Sequence, residues 1–156
     1  MLIKTTVANE EILYRRVPSS MGLYTFLPNG KPQIEPSAFE DRECRISVDR
    51  AKLCPSKAYD TLNRSEKGRT GGVVSLVTGD VRSTEKLVST YGNEGASQEF
   101  DVDVEHMPIP ENDAHTEIHG DPEFSQKDKK KAFRKLRHRL AELAEERAWE
   151  IIPQTL

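Results

Sequence analysis

At 156 residues, with 35% hydrophobic and 31% charged residues and a mean hydropathy of -0.68, the chain has the size of one domain, 1-156, with a small core under a well-solvated surface. No window approaches the roughly 18 consecutive apolar residues of a spanning helix, and the start, Met1 to Thr6, lacks the apolar run of a secretory signal, so no membrane is expected and the location is read as cytoplasmic. A net charge of -3 excludes a generally basic nucleic-acid binder, and two cysteines, Cys44 and Cys54, outside any CxxC pair, exclude a disulfide framework.

In chain order, the first half alternates β-branched and aromatic runs with turn signals. Glu11 to Val17, Gly22 to Leu27, Cys44 to Val48 and Gly72 to Thr78 are predicted strands. Pro28-Asn29-Gly30 closes a hairpin turn, because Asn-Gly accepts positive φ, while Pro32 and Pro36 prolong the loop. Pro55 opens a short helix to about Leu62, and 63-72 reads as a mobile loop. Thr78-Gly79-Asp80 is a turn. Glu99 to Glu105 alternates strictly, which puts Phe100, Val102 and Val104 on one face and the acids on the other. Ser125 and Asp128 form a variant capping box ahead of an amphipathic helix over about 126-150, whose stripe is Phe133, Leu136, Leu140, Leu143 and Ala144, continued by Ala148 and Trp149. The expectation is an α+β fold: a mainly antiparallel sheet from about 1-119 packed against one long C-terminal amphipathic helix.

Charge is unevenly placed along this helix. Lys127, Lys130, Lys131, Arg134 and Arg137 sit toward its start and Glu142, Glu145 and Glu146 later, the reverse of what the helix dipole favours. Clustered cations neutralise polyanions, so the expected function is a small binding or adaptor protein whose basic helix face contacts an acidic protein or nucleic acid. No aromatic residue interleaves with these cations, since Phe133 belongs to the apolar stripe.

The alternative is a metal-dependent hydrolase. In an extended conformation, His115, Glu117 and His119 project from one face and supply two imidazoles and a carboxylate to a divalent metal. His106, Asp121 and Asp128 are candidates for a further ligand, and Glu117, if not a ligand, is the candidate catalytic base. The run from Glu117 to Asp128, EIHGDPEFSQKD, resembles the metal site of the JAB/MPN metallopeptidases. That resemblance implies His119 and Asp128 as zinc ligands and Ser125 as a helper of the oxyanion. Glu117 and Gly120 stand where the pattern has histidine and proline, and the capping box accounts for Ser125 and Asp128 without a metal, so membership is not assigned.

Arg15 and Arg16 are adjacent on a strand, so one must face the packed side of the sheet and there needs a partner. No GxSxG elbow is present and no base neighbours Cys54, so no nucleophile system is read from the sequence.

Overall fold

The computed structural model describes residues 2-19, 22-41, 43-54, 71-92 and 95-153. The predicted helix from Pro55 and nearly all of the 63-72 loop fall outside these residues. Among the described residues nine strands are present: β1 (Ile12–Val17), β2 (Tyr24–Phe26), β3 (Pro32–Ile34), β4 (Ile46–Arg50), β5 (Gly72–Val77), β6 (Leu87–Tyr91), β7 (Ala96–His106), β8 (His115–Asp121) and β9 (Trp149–Ile151). The α-helices among the described residues are α1 (Thr78–Arg82) and α2 (Ala132–Arg147). Seven strands form an antiparallel sheet in the order β6-β7-β8-β4-β1-β5-β9, and β2 and β3 pair as a separate ribbon. The fold is therefore mixed α/β, with a large antiparallel sheet and a C-terminal helix.

One sheet face builds the main core. Leu13, Val17, Ile46, Val48, Leu76, Phe100, Val102, Val104 and Ile118 lie buried with Phe133, Leu136, Leu140, Leu143 and Ala144 of α2. Fully burying each Leu, Val or Phe side chain contributes about 1.5–3 kcal/mol, so this layer dominates stability. The other face divides. Its β1–β5 half carries a small apolar cluster of Tyr14, Cys54, Val73 and Ala114, and its β4–β8–β7 half is charged.

Several expectations change on folding. The Asn29-Gly30 turn closes the hairpin, with Gly30 at φ 80°, but Pro32 begins β3 instead of prolonging the loop. Proline suits this place because β3 has only one neighbour, leaving its far edge without a donor requirement. Thr78 to Arg82 winds into α1, and β6 lies where no strand was predicted.

The C-terminal helix is shorter at both ends than the expected 126-150. The Ser125–Asp128 capping box closes a 3-10 turn over Gln126–Asp128, and Lys131, at φ -124° and ψ -95°, breaks the path before α2 begins. At the other end Ala148 takes φ 62° and turns the chain onto the sheet, where β9 pairs with β5. The Trp149 ring there fills the space that a side chain at residue 72 would need: a Cβ on Gly72 would meet it at 2.4 Å. Tyr24 stacks edge-on against the same ring, with centroids 5.1 Å apart. Packing of Trp149 between β5 and the hairpin thus overrides the helical periodicity that would have continued through Ala148.

Candidate functional site

Two surfaces gather the chemically capable side chains. The first is the charged half of the sheet. Alternation along β8 places His115, Glu117 and His119 on one face, as the sequence predicts, with Thr116, Ile118 and Gly120 on the core side. Register then brings Ser47 of β4 opposite Glu117, Asp49 opposite His115, and Glu105 of β7 opposite Glu117 on the far side.

A cation already occupies the centre of this face. The Arg45 guanidinium lies 2.9 Å from Glu117, 3.1 Å from Glu105 and 2.9 Å from Glu123. Lys4 adds a second positive charge 2.9 Å from Glu105. The Lys4 hydrogen bond holds the Glu105 carboxyl below its ordinary pKa, with Arg45 and His119 reinforcing this against the opposing effect of burial. Glu117 is therefore an ion-pair partner of arginine, which a general base or metal ligand would have to surrender.

The remaining ligand candidates are dispersed. His106 is buried on the core side of β7, with Nδ1 accepting from the Thr5 N–H at 3.1 Å and Nε2 donating to the Asp113 carbonyl at 2.7 Å, so both ring nitrogens are used. Asp128 is buried in the cap ahead of α2, where its carboxylate accepts from the Ser125 N–H at 2.6 Å, from the Ser125 hydroxyl at 2.9 Å and from the Tyr91 hydroxyl. Burial raises the Asp128 carboxyl, but these donors outweigh it and leave its pKa below the ordinary aspartate value. Asp121 is exposed at the end of β8, across from Asp101. Among the described residues, no group of three or more His, Cys, Asp or Glu side chains is arranged to hold a metal ion. The alternating HxExH pattern sets the side chains on a common face, but the cross-strand Arg45 takes the Glu117 carboxylate.

The adjacent arginines resolve in favour of Arg15. Its guanidinium donates to the carbonyls of Ala38 at 3.0 Å, Ser47 at 2.7 Å and Glu40 at 3.2 Å, and to Asp41 at 3.0 Å. Asp41 in turn accepts the Ser47 N–H at 2.8 Å. The β1–β4 ladder pairs only Leu13 with Arg50 and Tyr14 with Asp49, and past that point these two side chains stand in for the missing backbone bonds. Arg16 instead lines a pocket on the charged face.

The second surface is the outer side of α2. Lys130, Lys131, Arg134, Lys135, His138 and Arg139 line an open groove of about 430 Å³, with Glu142 at its end. Lys135 and Arg139 also border a neighbouring groove of about 600 Å³ against Ser83–Leu87. Lys127 is exposed but lies outside these grooves. Arg137 belongs elsewhere: it lies 3.6 Å from Glu40 and 5.4 Å above the Phe133 ring, facing into the molecule. The structure thus sets Arg137 apart from the groove and places Lys135 and Arg139 in it beside Lys130, Lys131 and Arg134. Lys135 and Arg139 follow Lys131 at i+4 and i+8, the spacing that puts them on one helix face. No acidic side chain occupies the first turn of α2.

Comparison with known proteins returns no match: no protein-family model, no curated protein and no solved structure is similar to this chain. No helix among the described residues is long and apolar enough to cross a membrane.

Proposed function

We propose that the chain is a binding or adaptor protein that docks an acidic protein segment or a nucleic acid on the outer face of α2. The observation that carries this reading is the alignment of Lys130, Lys131, Arg134, Lys135, His138 and Arg139 along one groove with a single acidic lining residue, Glu142. The cations crowd the helix start, where the dipole disfavours them by about 0.3–1 kcal/mol each, so intrinsic helix stability does not account for their placement. A polyanion laid along this groove would release counterions and offset that penalty.

The test is titration with a fluorescent polyglutamate peptide and with single-stranded and duplex oligonucleotides across a range of salt. Binding should tighten as salt falls. Replacing Lys130, Lys131, Arg134 and Lys135 together by glutamine should weaken it by about tenfold or more and flatten the salt dependence, because fewer counterions are released. Arg137→Gln, which removes an inward-facing cation of equal charge, should leave the salt slope unchanged. Absence of binding to all three probes at low salt overturns the reading.

A further inference from the structure

Where β1 and β4 part company, the charged sheet face opens into a polar pocket of about 230 Å³ whose lining includes Arg15, Arg16, Ser47, Asp49, Asn112 and His115. Two of these residues stand in a reactive relation. The His115 Nδ1 lies 2.9 Å from the Met107 carbonyl, which can only accept, so Nδ1 carries the ring proton. Nε2 then presents its lone pair to the Ser47 Oγ, 3.3 Å away, and the hydroxyl donates to it. Met107 is itself fixed by its N–H, which donates to the His115 carbonyl at 2.9 Å, so the ring is oriented by a reciprocal clamp. Ser47 is held just as firmly, its N–H by Asp41 and its carbonyl by Arg15. Because side chains replace the neighbouring strand there, the nucleophile is fixed while the space beside it stays open.

We propose that Ser47 and His115 form a nucleophile–base pair for acyl transfer, acting on a small ester or thioester that carries an anionic group. Ser47 Oγ attacks the acyl carbonyl while its proton passes to His115 Nε2. The resulting imidazolium faces Glu117 Oε2 at 3.9 Å, whose negative charge stabilises it. Collapse breaks the bond to the leaving alkoxide or thiolate, which takes the proton from His115. Water then attacks the acyl-serine by the same route, losing its proton to Nε2, and Ser47 recovers it as the acid departs. The geometry is that of a triad in which a backbone carbonyl replaces the orienting carboxylate. Among the charged lining residues Arg15 and Arg16 outnumber Asp49, and this excess of positive charge favours an anionic substrate.

A fluorophosphonate probe tests the pair on the full chain. Attack by Ser47 forms an Oγ–P bond and expels fluoride, so the label should map to Ser47 by peptide mass spectrometry and be lost in Ser47→Ala. In His115→Gln the labelling rate should fall at least about 100-fold, the usual contribution of a general base, with the thermal midpoint showing that the variant is folded. Ser47→Cys supplies a second readout. Its new thiol should react with iodoacetamide faster than the buried Cys44 and Cys54, and this reaction should slow in the Ser47→Cys/His115→Gln double variant. Hydrolysis of p-nitrophenyl succinate should exceed that of p-nitrophenyl butyrate. No label on Ser47 in the native protein, or equal rates with and without His115 in folded variants, overturns the dyad. Preference for the butyrate ester overturns the anionic substrate class.

Discussion

Arg50 is 1% exposed, and its guanidinium forks onto Glu11 with two bonds of 2.8 Å and also donates to the Thr6 carbonyl at 3.2 Å. Glu11 receives the Ala8 N–H at 2.7 Å, so both members of the pair are satisfied as well as matched in charge. The value of such a pair lies in the damage done by breaking it. Arg50→Met keeps the buried stem but strands a carboxylate, and should lower unfolding free energy by about 3–5 kcal/mol in urea titration. Adding Glu11→Gln to that variant should recover part of the loss, since the stranded charge is gone. The sequence shows Arg50 only as one charge at the end of a β-branched run. Its partner lies 39 residues earlier, and no local pattern joins the two.

The junction between α2 and β9 shows how far periodicity can be trusted. Phe133, Leu136, Leu140, Leu143 and Ala144 were legible as one buried stripe because an i, i+3, i+4 repeat leaves few alternatives. Ala148 and Trp149 extend that repeat on paper, but the indole finds better burial against Gly72 and Tyr24 at the sheet edge. Ala148 therefore sits at φ 62° and ψ -171°, a region that a side chain disfavours by about 1–3 kcal/mol. Ala148→Gly is expected to raise the thermal midpoint by relieving this strain, and an unchanged or lower midpoint would show that the turn is comfortable for alanine. The same limit applied to the candidate site. Alternation put His115, Glu117 and His119 on a common face, but the arrival of Arg45, Ser47 and Glu105 depends on strand order, which no single-strand pattern encodes. The run from Arg45 to Asp49 does alternate polar with apolar, so its outward residues were readable while their neighbours were not.

At the scale of the whole molecule, three carboxylates among the described residues, Glu11, Glu105 and Asp128, are held below their ordinary pKa. At Glu11 burial acts upward, and hydrogen bonds from Arg50 and Ala8 with Coulombic help overcome it; at Asp128 burial likewise opposes the Tyr91 and Ser125 donors; at Glu105 the Lys4 bond leads. For each, the unfolded chain takes up its proton at a higher pH than the folded one. Their stabilisation is complete above the ordinary carboxylate range and lost as pH falls through the depressed folded values. Urea midpoints should therefore hold from neutrality to roughly pH 5 and decline below roughly pH 4, less steeply in a folded Asp128→Asn variant. Strand order has its own consequence at this scale. β5 is flanked by β1 and by β9, the last strand in chain order, so Val73 and Val74 have one backbone edge bare until Trp149 to Ile151 arrive. On the ribosome, where segments emerge in sequence, that edge would be presented to chaperones and to other nascent strands throughout the synthesis of residues 78-148.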